Sequence, residues 1–153
     1  MAKVLVLSGG ISNEREVSLR SGAAVTKALQ SKGHQIVLYD PRNGIDDIPE
    51  ADVAFPVLHG MGGEDGSIQV ALERANIPYV GSDPAASSLC FDKWAYKQKI
   101  QKAGLPTPEA MLVTKGTVWQ SHITKHPFVL KPLCGGSSID TFIIRDLANM
   151  DKF

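Results

Sequence analysis

The chain has 153 residues, 43% hydrophobic and 21% charged, and its 16 basic and 16 acidic side chains leave no net charge. That balance fits an ordinary globular protein and provides no overall field that would draw it to nucleic acid or to an anionic membrane. No apolar stretch nears bilayer-spanning length, and Cys90 and Cys134 lie far apart without metal-ligand spacing, so free thiols in a reducing cytoplasm are expected.

In chain order, the almost wholly apolar run Lys3–Leu7 predicts a strand covered on both faces. A helix is expected over 14–31, with Asn13 and Glu16 in a capping-box arrangement and an apolar stripe of Val17, Ala24, Val25, Ala28 and Leu29. Gly33 stops it, and Gln35–Tyr39 is the second strand. A third strand, 53–58, contains Pro56, which makes its pairing imperfect. A helix over 66–76, a fourth strand over 77–80 and helical segments from Ser82 or Asp83 to Ala103 follow.

This alternation predicts an α/β fold with a mostly parallel sheet and helices on both faces. A boundary is expected at Leu105-Pro-Thr-Pro108, dividing a domain over 1–104 from a second unit over 105–153. The second unit carries short strands at 111–114, 128–131 and 141–144 and a helix opening at Asp146. So thin a core suggests an incomplete unit, expected to be mobile.

Three segments carry candidate chemistry. The first two, Ser8-Gly-Gly-Ile-Ser-Asn-Glu-Arg-Glu-Val-Ser18 and His59-Gly-Met-Gly-Gly-Glu-Asp-Gly66, each follow a strand and precede a helix. In an open α/β sheet such turns gather at one edge, so both are expected to line one crevice. Glu14 beside a helix N-terminus suits an ammonium, yet on spacing alone the better reading is that it only complements the helix dipole. Glycine-Gly spacing here is not the dinucleotide fingerprint. His59 among four glycines suits a carboxylate or a proton transfer, against a turn-stabilising role. Glu64 and Asp65 suit capping better than metal binding.

The third segment is Phe128-Val-Leu-Lys131-Pro-Leu-Cys-Gly-Gly-Ser137-Ser138. A strand-closing lysine followed by a small, hydroxyl-bearing loop suits phosphate, although its order is not that of a P-loop. Lys93 sits in a helix and alone reads as a solvated charge.

Taken together, these segments, with Ile77-Pro-Tyr-Val-Gly-Ser82, Asp92-Lys93 and 103–108, resemble the D-alanine–D-alanine ligase family of the ATP-grasp superfamily. The resemblance covers most of the chain in the family's order. It implies a Rossmann-like substrate-binding domain followed by the start of an α+β ATP-grasp domain. It also implies the reaction ATP + 2 D-alanine to D-alanyl-D-alanine, ADP and phosphate, through D-alanyl phosphate, for peptidoglycan precursor synthesis.

By this likeness Glu14 holds the ammonium of the first D-alanine and His59 lies beside that substrate. Lys93 and Lys131 contact the ATP phosphates. Ser137 and Ser138 belong to the loop closing over them, Ser137 also bonding towards Glu14. Mg²⁺ is implied between the phosphates, and a homodimer is the family expectation.

Two departures stand out: Asp140 where the family usually has glycine, and Gly135 at an often acidic position. The family's downstream adenine hinge and metal carboxylates have no counterpart, so the chain alone is expected to be a truncated, inactive ligase. A non-catalytic binding or dimerisation module is the alternative. A different ATP-grasp ligase fits less well, and D-alanyl-D-lactate or D-alanyl-D-serine ligases share these same segments.

Overall fold

The computed structural model describes residues 1–145, and the helix expected from Asp146 lies outside them. Contacts divide the chain into two compact units, Met1–Phe91 and a second beginning at Asp92.

In the first unit, β1 (Lys3–Leu7) is flanked in parallel by β2 (Gln35–Tyr39) and β3 (Val53–Pro56), giving the order β2-β1-β3. Val4, Leu5, Val6 and Leu7 are 0–4% exposed, as a central strand covered on both faces requires. Their alternation sends Leu5 and Leu7 into one cluster with Ala54, Leu58, Ile68, Ala71, Leu72 and Ile77. Ile68, Ala71 and Leu72 come from α2 (Ser67–Arg74). Val4 and Val6 alternate to the opposite face, and α1 (Arg15–Ser31) packs on β1 and β2. A third helix, α3 (Pro84–Phe91), packs against α2.

Helix α1 departs from expectation in two ways. Its N-cap is Glu14 and no side chain caps it, because the chain turns beforehand: Arg15 N–H donates to Ser12 O, and Glu14 N–H to Ser12 Oγ. Asn13 is exposed and forms no capping box. The buried face is also not the apolar stripe. Ser18 and Gly22 are its buried residues, whereas Val17, Ala24 and Ala28 are exposed. A Cβ on Gly22 would come within 2.5 Å of Ser8 Cβ, so close approach to the sheet selects small side chains there.

The expected fourth strand is reduced to one parallel bridge, Ala54 to Tyr79. Ala54 N–H donates to Pro78 O at 2.7 Å and Val80 N–H to Ala54 O at 3.1 Å. The next donors along that ladder on either side are the nitrogens of Pro56 and Pro78, which carry no hydrogen. Two prolines thus hold the ladder to a single rung.

The second unit opens with α4 (Lys93–Lys102), capped by Asp92, whose Oδ1 accepts from Trp94 N–H and Ala95 N–H. Two short 3-10 turns follow, then the antiparallel pair β4 (Phe128–Leu130) and β5 (Phe142–Ile144). Lys97 Nζ donates to Thr107 Oγ1 at 2.9 Å and to Pro108 O, so α4 is bonded to the segment beyond 104. Residues 111–114 are not a strand: they find no partner strand among the described residues, and Thr117 Oγ1 takes the Thr114 N–H into a turn. No helix among the described residues is long and apolar enough to cross a membrane.

Candidate functional site

With β2 on one side of β1 and β3 on the other, the chain reverses its direction of sheet growth at β1. Loops leaving β1 and β3 at their carboxyl ends therefore part around a crevice, the usual place for a ligand in an open α/β sheet. Those loops are the two glycine-rich segments.

Both turn on left-handed glycines. Gly9 and Gly10 have φ of +95° and +76°, and Gly60 and Gly62 have +67° and +82°. The loops touch: a Cβ on Gly60 would lie 3.1 Å from Ser12 Cβ and 3.4 Å from Glu14 Oε2. Glu14, only 8% exposed at the start of α1, is thus placed against the backbone that follows His59. His59 Nε2 is buried and lacks a hydrogen-bond partner among the described residues. A buried polar atom of that kind can be satisfied by an ordered water or by a ligand.

Glu64 and Asp65 shape the second loop. Glu64 Oε2 accepts from Gly60 N–H at 2.9 Å and Asp65 Oδ2 from Gly62 N–H at 2.8 Å. Asp65 Oδ1 also accepts from the Ser67 hydroxyl and N–H, at the first residue of α2. Burial alone would raise the Asp65 pKa, but these donors outweigh it and hold the carboxyl below its usual range.

Sequence spacing missed the residues that hold the first loop. Arg15 pairs with Asp40, at the end of β2, with Nη2 to Oδ2 at 2.6 Å and Nη1 to Oδ1 at 3.1 Å. Ser18 Oγ accepts from Gly9 N–H at 2.9 Å and donates to Val57 O at 2.6 Å, tying the turn to the exit of β3. Asp40 lies 30 residues from Gly10, and nothing in local composition marks it; Ser18 closes the first glycine-rich segment, but spacing does not single it out.

The phosphate-suited residues lie in the second unit. Lys93 Nζ donates to Gly135 O at 2.6 Å and lies 3.4 Å from Leu133 O, so it binds the loop itself. Lys131 is exposed directly after β4. Ser137, Ser138 and Asp140 all adopt left-handed φ, between +51° and +57°, in a loop that bends tightly. No group of three or more His, Cys, Asp or Glu side chains suited to a metal occurs among the described residues. Cys90 and Cys134 are both free and exposed.

The fold is an α/β, Rossmann-like domain with a parallel sheet, and the chain continues into a second unit with a glycine- and serine-rich loop. A family model described as D-ala D-ala ligase N-terminus matches residues 38–82. The D-alanine–D-alanine ligase of Xanthobacter autotrophicus is 45% identical over 150 residues, covering 95% of this chain and 49% of that protein. By family model, curated relatives and solved structures alike, the chain matches the N-terminal portion of the D-alanine–D-alanine ligases.

Solved structures agree. A D-alanine–D-alanine ligase from Bacillus anthracis superposes with a TM-score of 0.83 at 31% identity, covering 99% of this chain and 52% of that one. The same enzyme complexed with ATP gives 0.77 at 30% identity, covering 99% and 53%. The chain spans about half the length of the curated relatives it matches.

Proposed function

We propose that this chain supplies the first D-alanine site and the phosphate-contacting loop of a D-alanine–D-alanine ligase. In this reading the domain boundary falls between 104 and 105, although contacts group α4 with the unit that follows it. The observation that carries it is the pairing of the buried Glu14 with the His59 loop, where the unpartnered Nε2 awaits a ligand. A zwitterion matches such a cleft: Glu14 binds its ammonium, His59 its carboxylate, and the positive end of α1 favours the anion.

The residues of the second unit fit a nucleotide's phosphates. Lys131 offers an exposed ammonium, Ser137 and Ser138 offer hydroxyls and loop N–H groups, and Lys93 holds the loop by its carbonyls within reach of the same oxygens. When bound, ATP supplies the phosphoryl group that activates a D-alanine carboxylate. The chain's own contribution is orientation and charge stabilisation. The Asp140 carboxylate, exposed in the same loop, opposes phosphate. Mg²⁺ belongs to the reading as well, although no cluster of three or more His, Cys, Asp or Glu side chains suited to it occurs among the described residues. A cytoplasmic location, a role in peptidoglycan precursor synthesis and a homodimer, each implied by the family resemblance, complete the proposal.

Calorimetry with D-alanine, and L-alanine as control, tests it. Saturable heat for the D-isomer only, abolished in Glu14→Gln and weakened in His59→Ala, is the expected result. Equal heats for both isomers would overturn it. D-alanine-dependent phosphate release from ATP then separates a competent enzyme from a binding module.

A further inference from the structure

Resting on the D-alanine reading of the cleft, we infer that the Arg15–Asp40 ion pair is its positioning device, clamping Gly10 by both backbone groups so that Glu14 stands in place. Asp40 Oδ1 accepts from Gly10 N–H at 2.9 Å, while Arg15 Nη1 donates to Gly10 O at 2.9 Å. Each partner therefore holds one polar group of the same peptide-bearing residue, and the two are joined to each other by two further hydrogen bonds. Asp40 is itself fixed, because its Oδ1 accepts from Arg42 N–H at 3.0 Å in the turn after β2.

The clamp lies directly over Gly9. A Cβ there would stand 2.6 Å from Asp40 Oδ2 and 2.7 Å from Arg15 Nη1. So the first glycine of the turn is required by the pair as well as by its own φ of +95°. Gly9 and Gly10 together are the most freely rotating bonds between β1 and α1, and Glu14 lies four residues beyond them. With Gly9 tethered to Ser18 and Gly10 to the pair, the turn has no remaining freedom to carry Glu14 away from Gly60. Arginine is needed for this, since its planar fork reaches a carbonyl and a carboxylate simultaneously, which a lysine ammonium does less well.

The test uses Arg15→Lys, Asp40→Asn, the double variant and Ile77→Val, a core change remote from the turn that lowers the thermal midpoint. D-alanine affinity is measured by calorimetry and Gly10 amide exchange by NMR. Both single variants are expected to weaken D-alanine about tenfold, the usual scale for a group acting through another's position. The double variant should lose no more than either single, since the pair acts as a unit. Gly10 exchange should quicken in all three, and Ile77→Val should leave both readings unchanged.

Affinities of the single variants within about twofold of wild type overturn the inference, given the tenfold scale. So does an equal loss in Ile77→Val, which marks a merely structural effect. A wild-type chain that binds no D-alanine overturns the ligase reading separately. In that case Gly10 exchange still decides the clamp, and unchanged exchange in Asp40→Asn overturns it.

Discussion

Asp40 shows how much one side chain can organise. Its hydrogen bond from Arg15 is the chief reason its pKa falls to about 2; burial opposes this as the next-largest effect, and the N–H groups of Gly10 and Arg42 add to the lowering. In an unfolded chain the carboxyl titrates near 3.9, or about 2 units higher. The group is ionised in both states above that value, so its stabilising effect is fully present there. As pH falls from about 4 to about 2, the unfolded chain takes up the proton first and the stabilisation is lost. Thermal midpoints measured from pH 5 to 2 should therefore fall more steeply in the wild type than in Asp40→Asn. Parallel curves would show that the pair contributes nothing to folding. The partners of Asp40 lie 30 and 25 residues away in sequence, which is why spacing could nominate Glu14 and His59 but not the pair that frames them.

At the scale of elements, α1 illustrates where pattern reading succeeds and where it stops. The helix's existence and end were legible, since Gly33 does supply the left-handed stop, at φ +82°. Its buried face was not, because periodicity searches for apolar residues and this face is made of Ser18 and Gly22. Gly22→Ala poses the conflict directly. Helix propensity favours alanine by about 1 kcal/mol, but the added methyl would meet Ser8 at 2.5 Å. Overpacking should win, with a net loss of about 1–3 kcal/mol in denaturant unfolding. A more stable variant would mean that the helix can shift outward at little cost. The β1, β2 and β3 strands were legible from their apolar runs, whereas the 111–114 strand was not realised, since a strand needs an edge to pair with as well as a favourable composition.

Across the whole molecule, regular structure is unevenly distributed. The first unit joins three parallel strands to three helices around a buried cluster, while residues 103–127 hold only two 3-10 turns. Local opening free energy follows buried contacts and backbone hydrogen bonds. Trypsin is therefore expected to cut first after Lys115 or Lys125, both exposed, and to spare Lys27 and Arg74 within α1 and α2. Mass spectrometry of early fragments checks this, and early cleavage inside residues 1–91 would contradict it.

The single rung between Ala54 and Tyr79 has a consequence for the chain's solubility. A sheet margin normally presents a regular row of donors that a second chain can adopt as a template, which is how edge-to-edge aggregation begins. On β3 that margin is interrupted by Pro56, so a strand pairing there would find a missing hydrogen within the span. Pro56 thus blunts the β3 edge of the sheet, whereas β2, the opposite edge, has no proline in its span.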